Sequence, residues 1–220
     1  MVFTSSTPID DRASLNKAIE STKLEKADIE GIRNTTAVLA RYTQEKSRPL
    51  FDAETQCILA VPKPFETTPL SSFDFLKDLL SKAQAGAVSL SCSSILAGRS
   101  SDSDEFSDVA FYAGDLEDEG RVEESTISKL GLSNLLEVGE IIPVKTDANT
   151  LAAVSAIPQK DVEACSNEIS LFNQALSKLD SRLEFTVELP GDEEGHVIHF
   201  VVGKYEEKWC GLTTASIQLE

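Results

Sequence analysis

Two histidines, His196 and His199, are of the residue type most often used for acid–base chemistry or metal binding near neutral pH. They are the only histidines in the sequence and lie three positions apart in an apolar run that is typical of a β-strand. Because side chains alternate between the two faces of a strand, residues three apart point in opposite directions. We therefore expect no metal ion shared by the two imidazoles.

Other residue patterns typical of enzymes are missing. The sequence has no glycine-rich phosphate loop, and the serines from Ser89 to Ser94 lack a Gly-x-Ser-x-Gly elbow with a nearby histidine. The carboxylates from Asp102 to Asp108 are expected on a mobile loop, without the apolar pocket that raises a carboxyl pKa for acid catalysis. The sequence thus predicts a protein that is not an enzyme and has no cofactor. A hydrolase with an unrecognised carboxylate site is the weaker alternative.

The charge of the chain is strongly one-sided. Its 220 residues carry a formal net charge of −17, and the segment from Asp102 to Glu124 sets ten acidic residues against the single Arg121. Such a chain repels nucleic acid and anionic lipid and favours encounter with a basic protein. We therefore expect a protein partner, without direct nucleic-acid or membrane binding. A solvated loop face is the alternative interpretation of the same acidic segment.

The composition bears on where the protein resides. No run of 18 apolar residues could span a membrane, and the first residues lack the basic and apolar regions of a signal peptide. Widely spaced cysteines without a Cys-x-x-Cys pair are typical of reduced, buried thiols in a reducing compartment. The sequence therefore predicts a cytoplasmic protein whose thiols are Cys57, Cys92, Cys165 and Cys210.

The first 70 residues predict a helical extension. Apolar spacing indicates one helix around Leu15–Thr22 and a second from Lys26 to Glu45, and a short strand is predicted at Cys57–Val61. Prolines and hydroxyl residues from Pro62 to Ser72 indicate a connector. We therefore divide the chain into an extension, 1–70, and a second domain, 71–220.

The order of elements in the second domain predicts an α+β fold. We expect an α/β/α-type sandwich in which helices cover a mostly antiparallel sheet. The strongest helix has apolar residues stepping by three and four, and its stripe from Val162 through Phe172 is expected to pack on the sheet. Pro143 suits an edge strand. The predicted elements are a helix from Phe73 ended by Gly86, strands Val88–Cys92 and Val109–Ala113, a helix Glu123–Leu130, an extended segment Glu140–Val144, a helix Asp161–Leu179, a strand Arg182–Leu189 and a final hairpin.

The hairpin and the acidic stretch carry a family resemblance. Val201-Val202-Gly203 is followed by Gly211-Leu212-Thr213-Thr214, and Ser101-Asp102-Ser103-Asp104-Glu105-Phe106 precedes a strand with Tyr112 and Gly114. In this order and spacing, the segment from Phe73 to Glu220 resembles the nuclease A inhibitor family, whose members block sugar-non-specific endonucleases.

The resemblance implies a function and a site. Family members direct a glutamate of a Ser-Glu-Ser stretch, together with the C-terminal end, toward the metal-bearing active site of the nuclease. Asp102 matches that glutamate by position, and Leu219 stands where the family has a terminal threonine. The implied protein is an acidic inhibitor that mimics nucleic-acid charge and binds a basic endonuclease; the alternative is a general acidic interaction module without a nuclease target. The implied binding residues are Ser101, Asp102, Ser103, Asp104, Glu105, Leu219 and Glu220.

Overall fold

The computed structural model describes residues 26–42, 58–60, 70–99, 105–145 and 150–218. Helices and strands are mixed along these segments, which confirms the predicted α+β class. In chain order the elements are α1 (Lys26–Arg41), β1 (Ile58–Ala60), α2 (Leu70–Ser89), β2 (Val109–Gly114), α3 (Val122–Lys129), α4 (Leu135–Val138), β3 (Glu140–Val144), α5 (Ala152–Ser155), α6 (Gln159–Ala164), α7 (Ser166–Leu176), β4 (Asp180–Glu188), β5 (His196–Tyr205) and β6 (Lys208–Ile217).

One sheet organises these elements, with strand order β1-β2-β6-β5-β4-β3. Five neighbouring strands, from β2 to β3 in that order, are antiparallel, and β1 adds to β2 in parallel. Pro143 lies on β3 at the edge of the sheet, where its missing N–H costs no ladder hydrogen bond. The predicted, mostly antiparallel sheet is thus confirmed.

The final hairpin supplies two central strands of this sheet. Strands β5 and β6 pair along their full length, from His196↔Ile217 to Tyr205↔Lys208. The turn consists of Glu206 and Glu207, both with positive φ, as in the two-residue turns whose twist matches that of paired strands. The hairpin predicted from the apolar run, the polar loop and the alternating tail is therefore confirmed.

Helices cover the sheet and share one hydrophobic core. Helix α2 packs against α7 and contacts β2 and β6. The core includes Leu76 of α2, Phe172 of α7 and Phe111 of β2, each with no exposed surface. No helix within the described parts of the chain is both long and apolar enough to cross a lipid bilayer.

Helix α1 belongs to the same core, although it precedes the predicted domain boundary. It contacts β6, and its buried side chains Ile32, Val38 and Leu39 are part of the common apolar cluster. The expected helix at Leu15–Thr22 and the connector around Pro62 to Pro69 lie outside the described residues. The division of the chain at residue 70 therefore stays a prediction.

The predicted strand at Val88–Cys92 is wrong, because α2 continues to Ser89 and then closes in a Schellman cap. The N–H of Cys92 donates to the carbonyl of Ala87, that of Ser91 donates to Val88, and Ser91 has a φ of 57°. Val88 is 69% exposed. Alternating serine and apolar residues are compatible with a strand and with a helix end, and in this protein they form the end of α2.

The long helix predicted for Asp161–Leu179 is interrupted. Cys165, with φ −110° and ψ 22°, separates α6 from α7, and its thiol hydrogen bonds to the carbonyl of Ser89. Helix α7 then ends at Leu176. Ile169, Phe172 and Leu176 of the apolar stripe are buried, as predicted, whereas Val162 is half-buried. The stripe was expected to pack on the sheet, but α7 packs mainly against α2.

Candidate functional site

Three segments meet at one end of the sheet, which we call the acidic end: residues 105–108, the turn 192–196, and residues 217–218. The β2–β6 register places the residues before Val109 beside those after Thr213, and the hydroxyl of Thr214 donates to the carbonyl of Ser107 at 3.2 Å. The rings of Phe106 and His196 meet edge-on with centroids 5.9 Å apart. The N–H of Gln218 donates to Gly195 at 2.9 Å.

One residue of the predicted site is described. Glu105 is exposed at the acidic end, and its carbonyl accepts a hydrogen bond of 2.8 Å from the Asn34 amide. The last described residue of the tail, Gln218, lies at the same end. The described residues next to the two halves of the predicted site, Glu105 and Gln218, thus lie at the same end of the sheet. The remaining predicted residues lie outside the described part of the chain: Ser101, Asp102, Ser103, Asp104, Leu219 and Glu220.

Helix α1 fixes the segment that follows the acidic stretch. The hydroxyl of Thr35 donates to the carbonyl of Ser107 at 2.8 Å and lies 3.2 Å from the N–H of Ser107. Gly31 permits this approach, because a Cβ there would lie 2.1 Å from the Ser107 hydroxyl oxygen. The sequence contains no local signal for these contacts, since they join residues about 70 positions apart.

Asp108 corrects the expectation that the acids from Asp102 to Asp108 all lie on a solvated loop. It is fully buried, and it accepts hydrogen bonds from the Ser94 hydroxyl at 2.7 Å and the Ile95 N–H at 2.8 Å. Burial raises the pKa of its carboxyl to about 6, despite these hydrogen bonds. Through these hydrogen bonds, Asp108 joins the 94–97 loop to the start of β2. Because it has no access to solvent, it offers no surface to a substrate.

The turn before β5 brings together groups that the sequence analysis treated separately. One carboxylate oxygen of Asp192, Oδ2, accepts hydrogen bonds from both the backbone N–H and the ring Nδ1 of His196. Glu194 Oε2 lies 3.5 Å from the same Nδ1 and 2.8 Å from the Arg41 guanidinium. The spacing Asp192-x-Glu194-x-His196 is the sequence signal for this group, and a comparison of the two histidines alone does not reveal it.

The described part of the acidic segment, residues 105–124, does not form one surface. Strand β2 carries the chain from the acidic end to the opposite end of the sheet, where Asp115 pairs with Lys208 at 2.5 Å. At that end Glu119 pairs with Lys204 at 2.8 Å and accepts a hydrogen bond from the Trp209 indole. These acids are locally neutralised, so they differ from the acids beside Phe106.

A cavity of about 260 Å³ lies at β4 and β5 and contains residues of the types that enzymes use. Its lining is mostly apolar but includes Glu184 and His199. The His199 ring hydrogen bonds to the Ser216 hydroxyl at 2.7 Å. Ser216 is 5% exposed and therefore poorly placed to attack a substrate. Burial raises the pKa of Glu184 and lowers that of His199 to about 4.

Asp108 and His199 should give opposite pH dependences of stability. The folded pKa of Asp108 is above its ordinary 3.8, so its stabilisation is complete below that pH and is lost as pH rises through about 6. The folded pKa of His199 is below its ordinary 6.5, so its stabilisation is present above 6.5 and is lost as pH falls through about 4. Each contribution changes by about 1–2 kcal/mol between pH 7 and 5.

Urea unfolding of Asp108→Asn and His199→Gln at several pH values tests this expectation. Relative to the unsubstituted protein, Asp108→Asn should lose stability as pH falls from 7 to 5, and His199→Gln should gain it. A pH of 5 stays above the isoelectric point of about 4.5, where solubility is lowest. If both variants follow the unsubstituted protein in parallel, neither burial effect operates.

Comparison of the chain with protein-family models, with curated proteins and with solved structures gives no match.

Proposed function

We propose that this protein is a non-enzymatic inhibitor of a basic, metal-dependent endonuclease that does not discriminate between sugars. The observation that carries this proposal is the meeting of residues 105–108 with the end of β6 at the acidic end of the sheet. The family resemblance assigns inhibition to these two parts of the chain, which are separated by more than 100 residues. Their described neighbours lie side by side.

The charge distribution supports a basic partner. The net charge of −17 favours fast encounter with a positively charged cleft, where the inhibitor replaces the phosphates of nucleic acid. At the acidic end, Glu105 and Glu193 are exposed carboxylates. The acids at the opposite end of the sheet are paired with Lys204 and Lys208 and contribute less to this attraction.

The proposed mechanism uses carboxylates as ligands for the metal ion of the partner. In it, Asp102 and the C-terminal residues Leu219 and Glu220 extend from the acidic end into the active site of the nuclease. A carboxylate there occupies the subsite of the scissile phosphate, which excludes the substrate. The contacts of α1 with Glu105 and Ser107 hold the C-terminal end of the acidic stretch in place, which lowers the entropy lost on binding.

The alternative is an acidic interaction module with the same fold and another protein target. Two features of the sequence favour it: Asp102 is one methylene shorter than the family's glutamate, and Leu219 lacks the hydroxyl of the family's terminal threonine. Either function suits the cytoplasmic location that the sequence predicts.

A double-mutant cycle on the inhibition constant tests the shared site. Asp102→Ala and deletion of residues 219–220 should each raise the inhibition constant about 30-fold, equivalent to about 2 kcal/mol, since each removes a desolvated charged contact. The double variant should lose less than the product of the two effects, because both parts act on one metal site.

The control is Asp74→Ala, which removes an exposed carboxylate from α2. The first turn of α2 lies at the opposite end of the sheet, where the Ser71 hydroxyl bonds to Glu206. Asp74→Ala should leave the inhibition constant within about twofold, because exposed charges contribute little individually. Inhibition that tolerates the loss of Asp102 and of the tail, or that falls equally in the control, would exclude the proposed site.

A further inference from the structure

The turn between β4 and β5 presents a set of metal-ligating atoms that the proposed function does not use. Asp192, Glu194 and His196 each offer one such atom, and the three atoms lie within 4.8 Å of one another. All three come from the one turn that precedes β5. Among the described residues, this cluster is the one whose donor atoms meet so closely.

The geometry at Nδ1 of His196 suits an ion as well as a proton. Nδ1 has room for a single hydrogen, yet two carboxylate oxygens approach it: Asp192 Oδ2 in a short hydrogen bond and Glu194 Oε2 at 3.5 Å. In a tetrahedral zinc site with bonds of 2.0–2.1 Å, neighbouring ligand atoms lie about 3.4 Å apart. The Glu194–His196 separation is close to this value, and Asp192 has to withdraw from its short contact with Nδ1.

The surroundings favour exchange of the proton for a divalent cation. The His196 side chain is 4% exposed and packed against Phe106, so its ring is held in place. The Glu194 side chain is 57% exposed and can move onto an ion. A depression of about 290 Å³, lined by Asp192, His196 and Gln218, leaves space for water as a fourth ligand.

We propose that Asp192, Glu194 and His196 form a binding site for a divalent transition-metal ion of the zinc type. An imidazole with two carboxylates selects zinc-like ions over Mg²⁺, which prefers oxygen ligands alone. Binding displaces the proton between Nδ1 and Asp192 Oδ2 and loosens the ion pair between Glu194 and Arg41. This inference does not rest on nuclease inhibition.

Isothermal titration of the full chain with zinc chloride tests the site directly. We expect one saturable site per chain, whose affinity falls about tenfold or more in Asp192→Asn and in Glu194→Gln, since each removes one of three protein ligands. Glu193→Gln removes an exposed carboxylate from the same turn without touching the cluster, and it should leave the affinity unchanged. Mg²⁺ should show no saturable binding.

Arg41→Gln tests the availability of Glu194 to the metal ion. The substitution releases Glu194 Oε2 from the guanidinium, so zinc binding should become tighter than in the unsubstituted protein. Cobalt substitution should give an absorption spectrum without thiolate-to-metal charge transfer, which separates this site from the cysteines. Absence of saturable zinc binding, equal affinity in Asp192→Asn and the unsubstituted protein, or an equal loss in Glu193→Gln would overturn the proposal.

Discussion

Gly211→Ala is expected to cost about 4 kcal/mol or more of unfolding free energy, a large fraction of the stability of an ordinary domain. Gly211 lies on β6 in the middle of the sheet, paired with Phe111 on one side and Val202 on the other. A Cβ at this position would lie 1.9 Å from the Val201 carbonyl oxygen and 3.0 Å from the Val202 Cα. Both contacts are with backbone, so β5 and β6 would have to separate.

Equilibrium unfolding in urea measures this effect, with Gly191→Ala as the matched control. Gly191 lies in the turn between β4 and β5, and a Cβ there would meet nothing within 4 Å. The control should therefore remain within about 0.5 kcal/mol of the unsubstituted protein. Near-normal stability of Gly211→Ala would show that β5 and β6 are further apart at this position than the structure places them.

Phe172→Ala should destabilise the protein by about 3–5 kcal/mol, the range for truncating a fully buried aromatic side chain. Phe172 has no exposed surface and lies on α7, which packs against α2. The truncation removes apolar contacts and leaves a cavity at the junction of the two helices. Urea or thermal unfolding measures the difference in unfolding free energy between Phe172→Ala and the unsubstituted protein, with the same signal followed in both.

The neighbouring Leu171 is the control for this experiment, because it lies on the same helix and is 41% exposed. Leu171→Ala should cost less than about 1 kcal/mol. Similar losses in the two variants would contradict the assignment of Phe172 to the core and of Leu171 to the surface. Such a result would mean that α7 is rotated about its axis.

The elements predicted best from the sequence are those whose pattern has one interpretation. An apolar run, a polar loop at Lys204–Lys208 and an alternating tail predict the final hairpin. The structure shortens the loop to the turn Glu206–Glu207 and places the other loop residues in the strands. Pro143 cannot donate to a ladder, and it lies on the edge strand, as predicted. By contrast, Val88–Cys92 alternates as a strand would, but its alternation falls at a capped helix end.

The site was predictable only in part, because its geometry depends on contacts between distant residues. The hydrogen bonds of Thr35 to Ser107 and of Ser94 to Asp108 leave no local signature. Spacing alone suggested that Asp108 is one more solvated acid, and its burial follows from the fold. The two ends of β2 likewise separate the acids before Val109 from those after Gly114, although they are continuous in sequence.

Titration of the protein into a panel of metal-dependent, sugar-non-specific endonucleases, with plasmid cleavage as the readout, tests the central claim most directly. With free metal ion held constant, we expect cleavage by at least one member of the panel to stop at one inhibitor per nuclease. Raising salt should slow the onset of inhibition more than its reversal, because steering over distances beyond about 8 Å is screened at physiological ionic strength. Undiminished cleavage by every nuclease, at a several-fold excess of the protein, would contradict the account and leave the acidic interaction module as its replacement.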